Sequence, residues 1–184
     1  ADAQVTGGTV RLSDARSGKT YTASNVAGAV KLEALRGPFS FQGTGEVDSV
    51  AYILRLSSGA LEPDGTAQVS ATLRAADERF SFSTEGLLAT GAQPAYSGTI
   101  TYRQPPPKPA DPVVADAGQG DLVITSKVEA TPAKVLLSEY LLTPDENRAS
   151  TRLQGAADVT LGAEMAFNAV ISGGLVALPP RDAT

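Results

Sequence analysis

Protein chemistry needs groups that move protons, attack carbon or hold metals, and this sequence is short of them. It has no histidine and no cysteine. The commonest general base, the commonest transition-metal ligand, thiolate nucleophiles and cysteine-ligated zinc are therefore all missing. Carboxylates remain. Acidic neighbours stand at Asp77-Glu78 and Asp145-Glu146, both in turn-like stretches where such residues ordinarily face water. No Gly-x-Ser-x-Gly elbow, phosphate-binding loop or dinucleotide fingerprint occurs. Ala117-Gly118-Gln119-Gly120-Asp121 looks like one unit of a calcium-binding repeat but lacks the recurrence such repeats need. The expectation is a non-enzyme with no catalytic, cofactor-binding or metal-binding residue.

The residues that could do something else are apolar, and their spacing says how they are carried. Across 184 residues, 42% are hydrophobic, enough for a folded core. Only 5% are aromatic, Trp is absent, and 18 Gly with 12 Pro punctuate the chain. That composition suits many short strands joined by turns. The net charge is −5, the pI is near 4.7, and no Lys/Arg cluster appears, which argues against nucleic acid as a partner. No run approaches the ~20 apolar residues of a membrane-spanning helix. The chain opens Ala1-Asp2 without Met and without a signal peptide, so it is expected to be a mature or excised fragment.

The central stretch is Arg36-Gly37-Pro38-Phe39-Ser40-Phe41-Gln42-Gly43. Gly37-Pro38 marks a turn, and the residues after it alternate apolar and polar, so both rings leave one side of a strand. Gly43 and Gly45 point to a bulge or a close backbone approach. The alternation recurs at Val26, Gly28, Val30 and Leu32, at Val50, Tyr52, Leu54 and Leu56, at Val69, Ala71 and Leu73, and at Phe80 and Phe82. It continues at Tyr96, Gly98, Ile100 and Tyr102, at Leu122 and Ile124, at Val159 and Leu161, and through Met165, Phe167, Ala169 and Ile171. The parity change from Val47 to Val50 predicts a bulge or break near Asp48. Thr131 to Leu142 fits helical spacing as well as strand, and the surrounding pattern favours a strand over Lys134 to Leu142. Gln104 to Gly120, with Pro105-Pro106-Pro107, Pro109 and Pro112, reads as a surface connection. Roughly eight to ten amphipathic strands follow, about 50 Å across at the usual spacing. No strong helix is predicted to cover their apolar side. Such a sheet can pack on itself as a sandwich, close as a barrel, or fold lengthwise into a trough.

Gly8-Thr9-Val10-Arg11-Leu12-Ser13-Asp14, the strand ending at Asn25-Val26, and Gly37-Pro38-Phe39-Ser40-Phe41-Gln42-Gly43 resemble the AsmA family. So do Gly120-Asp121-Leu122-Val123-Ile124, the strand about Val135-Leu136-Leu137, Arg152-Leu153-Gln154-Gly155 and Met165-Ala166-Phe167-Asn168-Ala169. The likeness covers most of positions 7–178. It departs at Glu164-Met165, where the family often has Pro, and at the triple proline. The resemblance implies an all-β fold, an extended, curved antiparallel sheet with little helix, either a U-shaped groove or an open sandwich. It also implies a periplasmic piece of a larger envelope protein anchored in the inner membrane. In that arrangement residues 1–103 form a first β-rich segment, 104–119 a Pro-rich connecting loop, and 120–178 a second segment continuing the same module. Phospholipid or acyl chains would lie along an inner face formed by Phe39, Phe41, Tyr52, Leu54, Phe80, Phe82, Met165 and Phe167. Two other readings fit the pattern: an assembly module offering sheet edges to outer-membrane proteins, or an adhesin-like structural sandwich.

Overall fold

The computed structural model describes residues 1–13, 18–106, 120–148, 152–162 and 165–173. Within them lie eleven strands: β1 (Asp2–Ser13), β2 (Thr20–Leu32), β3 (Phe39–Val47), β4 (Val50–Ser58), β5 (Thr66–Ala75), β6 (Ser81–Ala89), β7 (Ala95–Gln104), β8 (Leu122–Ala130), β9 (Lys134–Thr143), β10 (Leu153–Thr160) and β11 (Ala166–Gly173). A single 3-10 turn, Glu146–Arg148, is the helical content among the described residues. The strands form one sheet in chain order, each antiparallel to its sequence neighbours. β1 and β11 do not meet, so the sheet is open. The all-β, antiparallel fold is as expected.

Turn chemistry explains the connections. Asp48 and Ser49 sit at φ of 50° and 65° while Val47 pairs with Val50. This two-residue hairpin turn matches the sheet's twist, and it is what the parity change reflected. Asp64 accepts hydrogen bonds from the Thr66 backbone N–H (3.0 Å) and hydroxyl (2.7 Å), closing the β4–β5 connection. Asp77 does the same for the Arg79 N–H (3.2 Å) between β5 and β6. Gly37, at φ 90°, precedes a cis bond to Pro38 in the central turn. The Pro-rich connection joins strands that pair with each other: Gln104, assigned by the sequence to the connection, is the last residue of β7 and faces Leu122 of β8. Residues 107–119 and 174–178 lie outside the described residues.

Three bulges keep the two faces in phase. Gly7 (φ 63°) adds a residue to β1, Asn25 (φ 51°) to β2 and Glu139 (φ 53°) to β9. Without the one at Glu139, Leu137 and Tyr140 would face opposite ways; with it, both pair into the same face, Leu137 with Val128 and Ala157 and Tyr140 with Gly155. The core is thin. Among the described residues the buried apolar side chains are Ala67, Ala75, Val128 and Ala157, and the buried polar one is Ser126, whose hydroxyl donates to the Ser138 carbonyl (3.0 Å). A sandwich needs a second sheet, and none exists among the described residues.

Candidate functional site: an apolar sheet face

Register assembles the site. Residues directly opposite in a ladder share a face, and one row runs Leu54–Leu73–Phe82–Tyr102–Ile124–Leu142–Leu153 over β4 to β10. Phe41 continues the face opposite Leu56 and Val30, and Phe39 stands opposite Leu32. At the far edge Phe167 faces Val159, and Ile171 faces Gly155. Nearly all these side chains are half-buried by their neighbours alone, which is what a sheet covered on neither side produces.

The face is concave over β1 to β5. A concavity of about 440 Å³ there is lined by Val10, Val26, Phe41, Tyr52, Leu54, Leu73 and Phe80, with small residues at its floor. Two ring contacts stiffen its rim: Tyr52 to Phe80 with centroids 6.1 Å apart, and Phe80 to Tyr102 at 5.9 Å. Of the eight residues expected to form the inner face, Phe41, Tyr52, Leu54 and Phe80 line this concavity. Phe39 and Phe82 share the face beside it. Phe167, 67% exposed, lies at the opposite edge, and Met165, 72% exposed, precedes β11, so neither joins the other six. Val10, Val26 and Leu73 are members that sequence reasoning did not single out.

Glycines make the floor. Gly28 faces Gly43, and Gly86 faces Gly98. A Cβ on Gly43 would stand 2.5 Å from the Ala27 carbonyl and 2.6 Å from Phe41 Cζ, so the Phe41 ring lies flat over both glycines. Tyr96 repeats the device over Gly86 and Gly98, its hydroxyl bonded to Thr84 Oγ1. Tyr140 covers Gly155, and its hydroxyl donates to the Val170 carbonyl (3.1 Å). Rings lying down on glycine restore apolar cover while keeping the face low.

The opposite face is polar. Its chief charged cluster ties the end of β7 and the start of β8 to the turn after β9: Arg103 at the end of β7 pairs with Asp121 (3.1 Å) and, through both terminal nitrogens, with Glu146. Asp145 accepts from the Gly120 N–H (2.8 Å) and the Asn147 N–H (2.9 Å). Hydrogen bonding to Arg103 holds the Glu146 carboxyl below its usual range and lifts the guanidinium above its own. Members of both acidic pairs singled out by sequence make local bonds: besides Asp145 and Glu146, Asp77 binds the Arg79 side chain, and its carboxyl is lowered chiefly by that bond. No group of three or more metal-ligating side chains occurs among the described residues. No family model, curated protein or solved structure matches the chain.

Proposed function

We propose that this chain is a non-enzymatic, AsmA-like module of a larger envelope protein, anchored in the inner membrane and lying in the periplasm, that handles phospholipid or acyl chains along its apolar sheet face. One observation carries the reading: a continuous apolar row crosses the sheet, and nothing among the described residues packs on top of it. An apolar surface of that extent is rare on a protein that leaves it in water. An acyl chain laid on it is stabilised by ~0.8 kcal/mol per buried CH₂, and a row whose one polar group is the Tyr102 hydroxyl asks for little beyond length and apolarity.

The test pairs lipid retention with stability. Leu54→Asp and Phe80→Asp each put a charge in the concavity, while Thr101→Asp puts one on the other face. The first two should stay folded, by thermal unfolding, and lose retention of a fluorescent fatty acid; the third should retain it. Folded Leu54 and Phe80 variants that retain the probe as the parent does would reject the reading. The open edge at β11 favours a second reading, strand addition to outer-membrane clients. Ala166-Phe167-Asn168-Ala169-Val170-Ile171-Ser172-Gly173 has neither charge nor proline, the usual guards of an edge. Val170→Pro should abolish client capture without touching fatty-acid retention.

A further inference from the structure

The polar face carries an arrangement unrelated to the apolar one. Lys31 stands in the row Lys31–Ser40–Ser57–Ser70, Arg55 in the next row, Gln42–Arg55–Thr72, and Arg74 in the one after, Thr44–Ile53–Arg74. The three cations follow one oblique line over β2 to β5. Standard sheet spacings put the Cα atoms of Lys31 and Arg55 roughly 12 Å apart and those of Arg55 and Arg74 roughly 8 Å apart. Lys31 and Arg55 line a concavity of about 550 Å³ with Ser40, Gln42, Ser57 and Thr72, and no carboxylate is among its lining residues. Glu85, opposite Ser70, stands beside it, and Arg74 lines a separate hollow of about 200 Å³ with Glu78, Ser81 and Arg103.

The contrast within the same face is informative. Over β7 to β9 each cation has its acid: Arg103 has Asp121 and Glu146, Lys127 has Glu139, and Lys134 has Asp158. Lys31, Arg55 and Arg74 have neither an ion pair nor a side-chain hydrogen bond among the described residues. In a chain with 20 acidic and 15 basic residues, three neighbouring cations with no ion pair among the described residues are a surface complementary to an external anion.

We propose that this track binds an acidic polysaccharide, a chain with carboxylates at intervals along a hydroxyl-rich backbone. The cations are spread over roughly 20 Å in a line, which suits spaced charges better than one compact anion. The serine, threonine and glutamine side chains between them offer donors and acceptors to sugar hydroxyls. Single-stranded nucleic acid has matching charge but needs aromatic platforms for its bases, and all five Phe and all five Tyr stand on the other face. The proposal is independent of the lipid reading, because it uses the opposite side of the sheet.

The experiment is affinity electrophoresis of the full chain through gels containing polygalacturonate, with dextran as the uncharged control. Polygalacturonate should retard the protein, dextran should not, and added salt should weaken the retardation. Lys31→Gln, Arg55→Gln and Arg74→Gln should each weaken it several-fold and the triple variant should abolish it, with circular dichroism unchanged. Lys127→Gln, at a paired cation, should leave it intact. Absence of retardation, equal retardation by dextran, or a folded triple variant that still binds would overturn the proposal. So would a single-stranded oligonucleotide or an acidic peptide that binds more tightly than polygalacturonate through the same three cations.

Discussion

Gly86 and Gly98 show how much a single hydrogen atom matters on this sheet. A Cβ on Gly86 would stand 2.2 Å from the Ser97 carbonyl oxygen and 2.6 Å from Gly98 Cα, closer than to the Tyr96 hydroxyl at 2.8 Å, so what it must displace first is backbone. Gly86→Ala should therefore cost about 1–3 kcal/mol in chemical denaturation, whereas Gly59→Ala, whose nearest contact is 3.8 Å, should change stability by less than about 0.5 kcal/mol. Equal effects at the two sites would mean that the close approach is not what glycine serves. Glu146 is the residue for a pH test. Its folded-state carboxyl lies below the usual range because it accepts from Arg103, so the stability it adds is complete above the unfolded pKa. That stability is lost as pH falls through the folded one. Glu146→Gln should accordingly lower the thermal midpoint at neutral pH, and the gap from the parent should close on acidification. A gap that persists at low pH would assign the effect to something other than this charge pair. At this scale the sequence spoke clearly where alternation was regular: Phe41, Tyr52, Leu54 and Phe80 were legible from parity. Val10 was hidden because bulges at Gly7 and Asn25 break the parity that would have joined it to the rest, while Val26 and Leu73 were read in the alternation without being assigned to the inner face. The role of Glu146 was hidden because Arg103 lies on the far side of an intervening hairpin.

Strands, not residues, explain why β9 read as either helix or strand. Its apolar positions, Val135, Leu137, Tyr140 and Leu142, skip a beat at Glu139, and a gap of three mimics helical spacing. The extra residue sits at positive φ, a conformation that glycine adopts without the penalty other residues carry. Glu139→Gly should be tolerated or mildly stabilising, since the exposed pair it gives up with Lys127 is worth little. Deleting Glu139 is a different operation. It would send Tyr140 and Leu142 to the polar face or shift the pairing with β8 and β10, and the variant should lose its cooperative transition. A deletion variant as stable as the parent would show that the bulge does not set the phase of β9. The turns were the most legible feature of the chain, because Asp, Gly and Pro act there through local bonds. Which of the possible sheets they would build was not, because nothing local distinguishes a strand that will be covered from one that will not.

The described residues form a single layer, so burial comes from neighbours within the sheet. β1 is exposed along almost its whole length and β11 along all of it, while Val128, Ala75 and Ala67 in the middle strands are buried. Stability should grade accordingly. Amide hydrogen exchange followed by mass spectrometry should find β5 to β8 slowest and β1 and β11 fastest. Uniform protection from β1 to β11 would contradict a layer that opens from its margins. The count of eight to ten strands in the sequence fell just short of the eleven among the described residues.

The strict chain-order pairing has a consequence for how such a sheet can change size. Among the described residues every strand pairs only with its neighbours in sequence, so the ladder contains no crossover. A hairpin added at a turn displaces the strands beyond it without altering which of them pair. Each added hairpin widens the layer by about 10 Å and lengthens both the greasy side and the wet side together. Width in this architecture is thus a quantity the gene can dial in steps of two strands, with one limit: each insertion must keep the alternation in phase, as the residues at Gly7, Asn25 and Glu139 do here.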